Sequence, residues 1–296
     1  MADNFRKYLR DDVVVDKIVD PVIDTRSKND ILSDLMEKTY IDPFKEYAEP
    51  PAFISIVDGY GNAVPICTPK EITVITGRAK SKKTYLQTLL ASACAKNGLL
   101  QNKIKANLPK GKEGILYFDT EQGSAMVARL LFRVKRLIGF QSDNFHVYSL
   151  RGLSADEVIN LIEYVLDLHA NIGIIFVDQI ADLAQSINDE KEAVKLVRWM
   201  EKLTAENNLH ICCVIHQNKG KDDYNPSGWI GTQLLKKAMS VISVNKDENN
   251  KYVSHVKPLY LRGIDFDEFP FTIDGYGLPE ILTQEQAMQM ATEISI

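Results

Sequence analysis

The sequence is short of several things, and each shortage narrows its reading. None of its 296 residues belongs to an apolar run approaching the ~18–20 needed to cross a bilayer. The opening MADNFRKYLRDDVVVD alternates charges and lacks the apolar block of a secretion signal. Both features predict a cytoplasmic protein with no membrane partner. Cysteine is scarce: Cys67, Cys94, Cys212 and Cys213 show no metal-ligand spacing, and the 5 histidines do not gather round them, so no structural zinc is expected. Cys212 and Cys213 sit in an apolar run and read as buried thiols of a reducing compartment. Basic excess is missing too. A formal net charge of −5 excludes a wholly basic nucleic-acid binder but allows a local basic groove.

What is present is ordinary for a folded chain: 45% hydrophobic and 25% charged residues suffice for one large core, or a core with an extension. Residues 1–48 are charge-rich, with short apolar clusters at Val13–Val15 and Ile31–Met36, and read as a helical arm unable to enclose a core alone. Glu49-Pro50-Pro51 breaks regular structure there. Beyond it, short apolar runs alternate with amphipathic stretches, the pattern of an α/β fold with a mainly parallel sheet flanked by helices. Strands are predicted near Ile72–Thr76, Gly114–Phe118, Phe145–Ser149, Ile172–Val177 and His210–Ile215. Helices are predicted at Lys83–Lys96, Ser124–Ile138, Ala155–Ala170 (with Ser154 as N-cap) and Glu190–Asn207. A helix near Thr232–Ala238 then gives way to strands at Ser240–Asn245, Tyr252–Lys257 and Leu259–Arg262, with a hairpin through DENNK. These last strands add an antiparallel C-terminal side to the sheet. Residues 49–280 form the expected domain and 281–296 a helical tail.

The strand EITVIT runs into Gly77, Arg78, Ala79, Lys80, Ser81, Lys82, Lys83, Thr84 and Tyr85, and then into a helix. This is the context in which a phosphate-binding loop works, through backbone N–H groups and the positive end of the helix. Lys83 is placed to reach the β- and γ-phosphates of ATP, and the Thr84 hydroxyl to ligate Mg2+. Lys82 stands where the pattern has its second glycine, so a Cβ meets the backbone's approach to the phosphates. Taken alone, the loop reads equally as a basic surface turn. The apolar run Ile172–Val177 ends in Asp178, the acid that holds Mg2+ in phosphate-loop proteins; alternatively Asp178 begins a turn. A third strand, GILYFDTEQG, closes with Glu121 where a water-activating base faces the γ-phosphate.

With these residues together, the chain resembles the RecA-like P-loop ATPases, especially the AAA ATPases of bacterial mobilisation and plasmid replication related to hexameric helicases. The resemblance rests on GRAKSKKT, LYFDTEQG, IIFVDQIADL followed by NDEKEA, VIHQNKG and GWIGTQLLKKA, over roughly residues 65–275. It implies a RecA-like fold, ATP and Mg2+ as cofactors, and a homo-oligomer, either hexameric ring or filament, acting with single-stranded DNA. Glu121 is then the general base, His216 with Gln217 senses the γ-phosphate, and Arg262 resembles the finger that enters a neighbour's site. The plain alternatives are a helix cap for Glu121, a core-edge histidine for His216 and a surface salt bridge for Arg262. The family often has a basic residue two before that finger, where this chain has Tyr260.

Loops after the fourth and fifth strands face the ring's channel in that fold. Lys219, Lys221, Tyr224 and Trp229 in the second loop are placed to meet a single strand, lysines on phosphates and rings on bases, although Asp222 and Asp223 oppose this and a polar loop is the plain alternative. The lysine-rich stretch 96–112, a second candidate for nucleic-acid contact, reads first as a solvated loop. Two further functions compete with a nucleic-acid-stimulated ATPase: a nucleotide-holding scaffold, favoured by Lys82, and a small-molecule kinase, for which no arginine-rich lid is evident.

Overall fold

Along each central strand, successive apolar residues point to opposite sides, so both faces of the sheet need cover. The structure, a computed structural model, describes residues 26–220 and 223–293. The chain divides into two units, Met1–Pro50 and Pro51–Ile296. The described part of the first carries helix α1 (Lys28–Thr39). Ser27 and Asp30 cap it reciprocally, each side chain accepting from the other's backbone amide. None of its residues is buried. The Val13–Val15 cluster lies outside the described residues.

In the second unit the order is β1 (Ile54–Val57), β2 (Ala63–Cys67), β3 (Ile72–Gly77), α2 (Lys83–Lys96), β4 (Leu99–Leu100), β5 (Ile104–Ala106), β6 (Gly114–Asp119) and α3 (Ser124–Ile138). Then come β7 (Phe145–Ser149), α4 (Ala155–Leu168), β8 (Ile172–Asp178), α5 (Glu190–Asn207), β9 (His210–His216) and α6 (Gly228–Lys237). The unit closes with β10 (Ser240–Lys246), β11 (Ser254–Leu261), β12 (Phe269–Ile273), β13 (Pro279–Ile281) and α7 (Gln284–Glu293). The main sheet has 9 strands in the order β13-β12-β11-β10-β3-β9-β8-β6-β7. Its neighbours from β10 to β7 pair in parallel, and β11 to β13 antiparallel.

Strand β8 shows why the parallel part reads as unbroken apolar sequence. Ile174 and Phe176 pack with α2 and α3, while Ile175 and Val177 pack with α4, α5 and α6. A strand covered on both faces has no solvent side to alternate toward. Ser154 caps α4 as expected, its hydroxyl and the Glu157 carboxylate exchanging hydrogen bonds with each other's amides. The four cysteines are buried free thiols.

Three segments depart from expectation. The stretch 96–112 is not a solvated loop: β4 and β5 complete a separate 4-stranded sheet, β2-β1-β5-β4. Ile104, Ala106 and Leu108 are buried in the core shared with α2, and the polar residues between them face out. Asn97, Gln101 and Asn102, at φ 48°, 45° and 53°, supply the left-handed turns that fold so short a ribbon. Second, the two strands expected at Tyr252–Lys257 and Leu259–Arg262 are one, β11; Pro258, which has no N–H, is absorbed where the register with β10 shifts between Val241 and Ile242. Third, α6 begins at Gly228, ahead of Thr232. Gly228 has φ +70°, and a Cβ there would lie 2.6 Å from the Ile187 carbonyl. The tail helix α7 packs Ala287 with Val253 and Leu282.

Candidate nucleotide site

Parallel register sets the site. Gly77 pairs with His216, and Asp119 with Asp178, so the C-terminal ends of β3, β9, β8 and β6 form one row. In open α/β sheets ligands bind along that edge. Gly77 must be glycine, because a Cβ would sit 2.3 Å from the Val244 carbonyl. Lys80 and Lys82 both take positive φ, 62° and 76°. Left-handed backbone costs an L residue roughly 1–2 kcal/mol, yet Lys82 keeps the conformation a second glycine would have. Its side chain leaves the loop, the ammonium donating to the Tyr252 carbonyl and lying 5.9 Å from the Phe271 ring centre. No side chain caps α2; the Tyr85 amide donates to the Lys82 carbonyl at 3.0 Å, and the amides of Lys83 and Thr84 are left for an anion.

Lys83 is buried, and its ammonium lies 3.0 Å from each of the Gly77 carbonyl, the Arg78 carbonyl and His216 Nδ1. An ammonium only donates, so Nδ1 accepts and the imidazole proton sits on Nε2. That nitrogen is 3.3 Å from Glu121 Oε1. Lys83, His216 and Glu121 thus form a directed chain across the site. Burial pushes the Lys83 pKa down, opposed by the Asp178 and Glu121 carboxylates. The His216 hydrogen bond holds Glu121 below the usual carboxylate range, against the pull of burial.

Beneath the loop, the Thr84 hydroxyl donates to Asp178 Oδ2 at 2.6 Å. Desolvation pushes Asp178 up to about 7, partly offset by that bond. Sequence reasoning missed Asp119. Its carboxylate accepts from the Glu121 and Gln122 amides at 3.0 and 2.7 Å, turning the chain so that Glu121 projects into the site. The signal was an acid ending β6, two residues before the one singled out. Gln87 and Tyr117 were also missed: the Tyr117 hydroxyl donates to Gln87 Oε1 at 2.7 Å, below Asp178. Nothing short of the packed sheet would have found them.

Two cavities flank the Glu121–His216 pair. The phosphate pocket, about 410 Å3, is lined by Lys80, Lys83, Thr84, Glu121, Asp178 and Arg133 among others. The Arg133 guanidinium stacks 4.5 Å from the Tyr85 ring centre at its rim. The neighbouring cleft, about 850 Å3, is lined by Arg78, Glu121, Gln179, His216, Gln217 and Lys219 among others. Both side-chain amide atoms of Gln217 and Oε1 of Gln179 are buried without a hydrogen-bond partner. Each costs on the order of 1–3 kcal/mol if left so.

Other expected residues are not gathered here. Arg262 lies at the far end of β3, its guanidinium 3.0 Å from Glu71 Oε1 and 2.8 Å from the Lys237 carbonyl. Tyr260 donates to Asn225 at 3.1 Å. Lys219 lines the large cleft, Tyr224 a different one beside His255, and Trp229 starts α6 about 41% exposed. Lys221 lies outside the described residues.

The AAA domain model matches residues 61–222, a stretch holding the phosphate loop, Glu121, Asp178 and His216. The chain belongs to the AAA domain family. No curated protein matches it in sequence. Among solved structures, the KaiC-like protein of the archaeon Pyrococcus horikoshii is similar at a TM-score of 0.52, with 14% identity, over 79% of this chain and 100% of that one. That likeness is one of fold, and the fold is RecA-like. In this AAA domain the matched stretch stops just before α6, so the antiparallel side of the sheet lies outside it. Among the described residues no helix is long and apolar enough to cross a membrane.

Proposed function

We propose that this chain hydrolyses ATP in the pocket between the phosphate loop, Asp178 and Glu121, and that a single-stranded nucleic acid occupies the adjoining cleft. The observation that carries the first part is the directed chain from Lys83 through His216 to Glu121. All three protons of the Lys83 ammonium are engaged by protein acceptors. A γ-phosphate oxygen competes for them, and when Lys83 turns a proton from His216 Nδ1 to that oxygen, His216 loosens its hold on Glu121. Glu121, kept ionised, then orients the attacking water and accepts its proton. The loop amides and Lys83 meet the charge that develops on the phosphoryl oxygens. Tyr85 and Arg133 offer a flat face to the base.

The residues also fit Mg2+. A buried carboxylate raised to about 7, with the Thr84 hydroxyl 2.6 Å away, is short of a cation. Thr84 and Asp178 would hold the ion, which neutralises charge on the β- and γ-phosphate oxygens when bound.

Three unpaired buried amide atoms beside Arg78 and Lys219 support the second part, since a nucleic acid supplies both hydrogen-bonding edges and phosphates. Arg262 sits at the opposite end of its own sheet, so its role as a finger requires a second copy. Steady-state ATP hydrolysis with and without single-stranded DNA tests the reading. Turnover that rises with DNA and vanishes in Lys83→Ala and Glu121→Gln is the expected result. ATP binding without turnover under either condition would establish the scaffold instead.

A further inference from the structure

We infer that Lys82 is a positioning residue that holds the phosphate loop in its binding shape through a tether to the β10–β11 turn. The inference rests on the nucleotide-binding reading above and adds what this chain's departure from the glycine pattern does. A glycine at this position reaches φ +76°, ψ 29° without steric cost, whereas a lysine does so at a cost that a restraint elsewhere offsets. The restraint is visible. The Lys82 ammonium donates to the Tyr252 carbonyl, 170 residues along the chain, and rests by the face of Phe271 on β12. Backbone strain at a site persists where the surroundings over-determine it.

The direction of the side chain also removes the steric objection raised by the sequence. The chain leaves the cradle toward the sheet's antiparallel side, and Lys83 and Thr84 keep their partners at 3.0 and 2.6 Å. The tether therefore joins two parts of the fold that are distant in sequence: the loop after β3 and the turn from Asp247 to Val253. That turn is itself braced. The Asp247 carboxylate accepts from the Asn249 and Asn250 amides, both at 2.8 Å, and sits 2.8 Å from His255 Nε2. The carbonyl that Lys82 grips is thus on a stiff mount.

The test is nucleotide affinity, read with a fluorescent ADP analogue, for the full chain and three variants of matched melting temperature. Lys82→Met keeps the Cβ and removes the cation, and is expected to bind about tenfold more weakly. Lys82→Arg keeps the cation and should rescue binding to within threefold of the parent. Lys82→Gly needs no tether and should also bind within threefold of the parent. Equal binding by Lys82→Met and the parent, or a Lys82→Gly as weak as Lys82→Met, would overturn the tether. A parent chain that binds no nucleotide would overturn the underlying reading first, and the tether with it.

Discussion

The two sides of the Glu121–His216 pair are built differently. On the phosphate side the principal charged groups are paired within the protein, with the buried Ser81 hydroxyl the unpaired exception: Lys83 with two carbonyls and His216, Asp178 with Thr84, and Asp119 with the amides that follow it. On the cleft side Gln217 and Gln179 are as deeply buried, yet carry amide atoms with no partner. A prepaired charged site costs little to keep and can exchange partners when an anion arrives. An unpaired buried amide is a standing cost, kept where a ligand repays it. The first arrangement suits a substrate held by charge and the second one read by hydrogen bonds, with Glu121 and His216 between them.

The largest effect expected is on the phosphate side alone. Lys83→Ala should weaken nucleotide binding a hundredfold or more, roughly 3 kcal/mol on the scale of charge-assisted hydrogen bonds. Single-stranded DNA binding measured by anisotropy without nucleotide should change little. Equal loss of both would merge the two sides into one site. Glu121→Gln cuts the comparison at its middle. Turnover should fall by about 10²–10⁴, the range of general-base contributions, while ADP affinity stays within a few-fold. An affinity loss as large as the rate loss would mean that Glu121 serves structure rather than water.

Gln217→Leu sharpens the contrast from the cleft side, because two readouts should move in opposite senses. Removing a buried unpaired amide should stabilise the fold by about 1 kcal/mol, seen as a higher melting temperature. The same change should remove most of the stimulation by DNA, with the KM for ATP unchanged. A lower melting temperature would show that Gln217 is already satisfied, and the argument from the cleft would lose its footing.

How much of this was readable in advance follows the same division. Parallel strands covered on both faces are continuous apolar runs, and their C-terminal ends must share an edge. Hence Ile172–Asp178 and the loop from Gly77 could be placed together from the sequence. Residues 96–112 were misread because lysines at 103, 105 and 110 dominate the composition. The alternation of Ile104, Ala106 and Leu108 is a strand signal, but one too short to register without the partner strand β1. Register also decides what no local pattern carries: that Asp119 lies beside Asp178, and that Tyr252 reaches Lys82. The unpaired state of Gln217 exists only once β9 and the loop beyond it are packed.

The smallest effect guards the comparison against an artefact of pH. His146 on β7 lies 4.5 Å ring to ring from His169, and burial together with that neighbour pushes its pKa down to about 4, against a weak pull from Asp143. A histidine whose folded pKa is depressed binds protons better when the chain unfolds. The stability it contributes is therefore complete above its ordinary pKa, near 6.5, and is lost as the pH falls toward about 4. His169, also lowered by burial, acts in the same direction. Melting temperatures taken at pH 7.5, 6 and 5 should decline, and His146→Phe, which keeps the ring and loses the titration, should decline less. If turnover falls over the same interval in the parent but survives in that variant, the loss belongs to the edge of the sheet. If it falls equally in both while the variant stays folded, the titrating group is in the site between the two cavities.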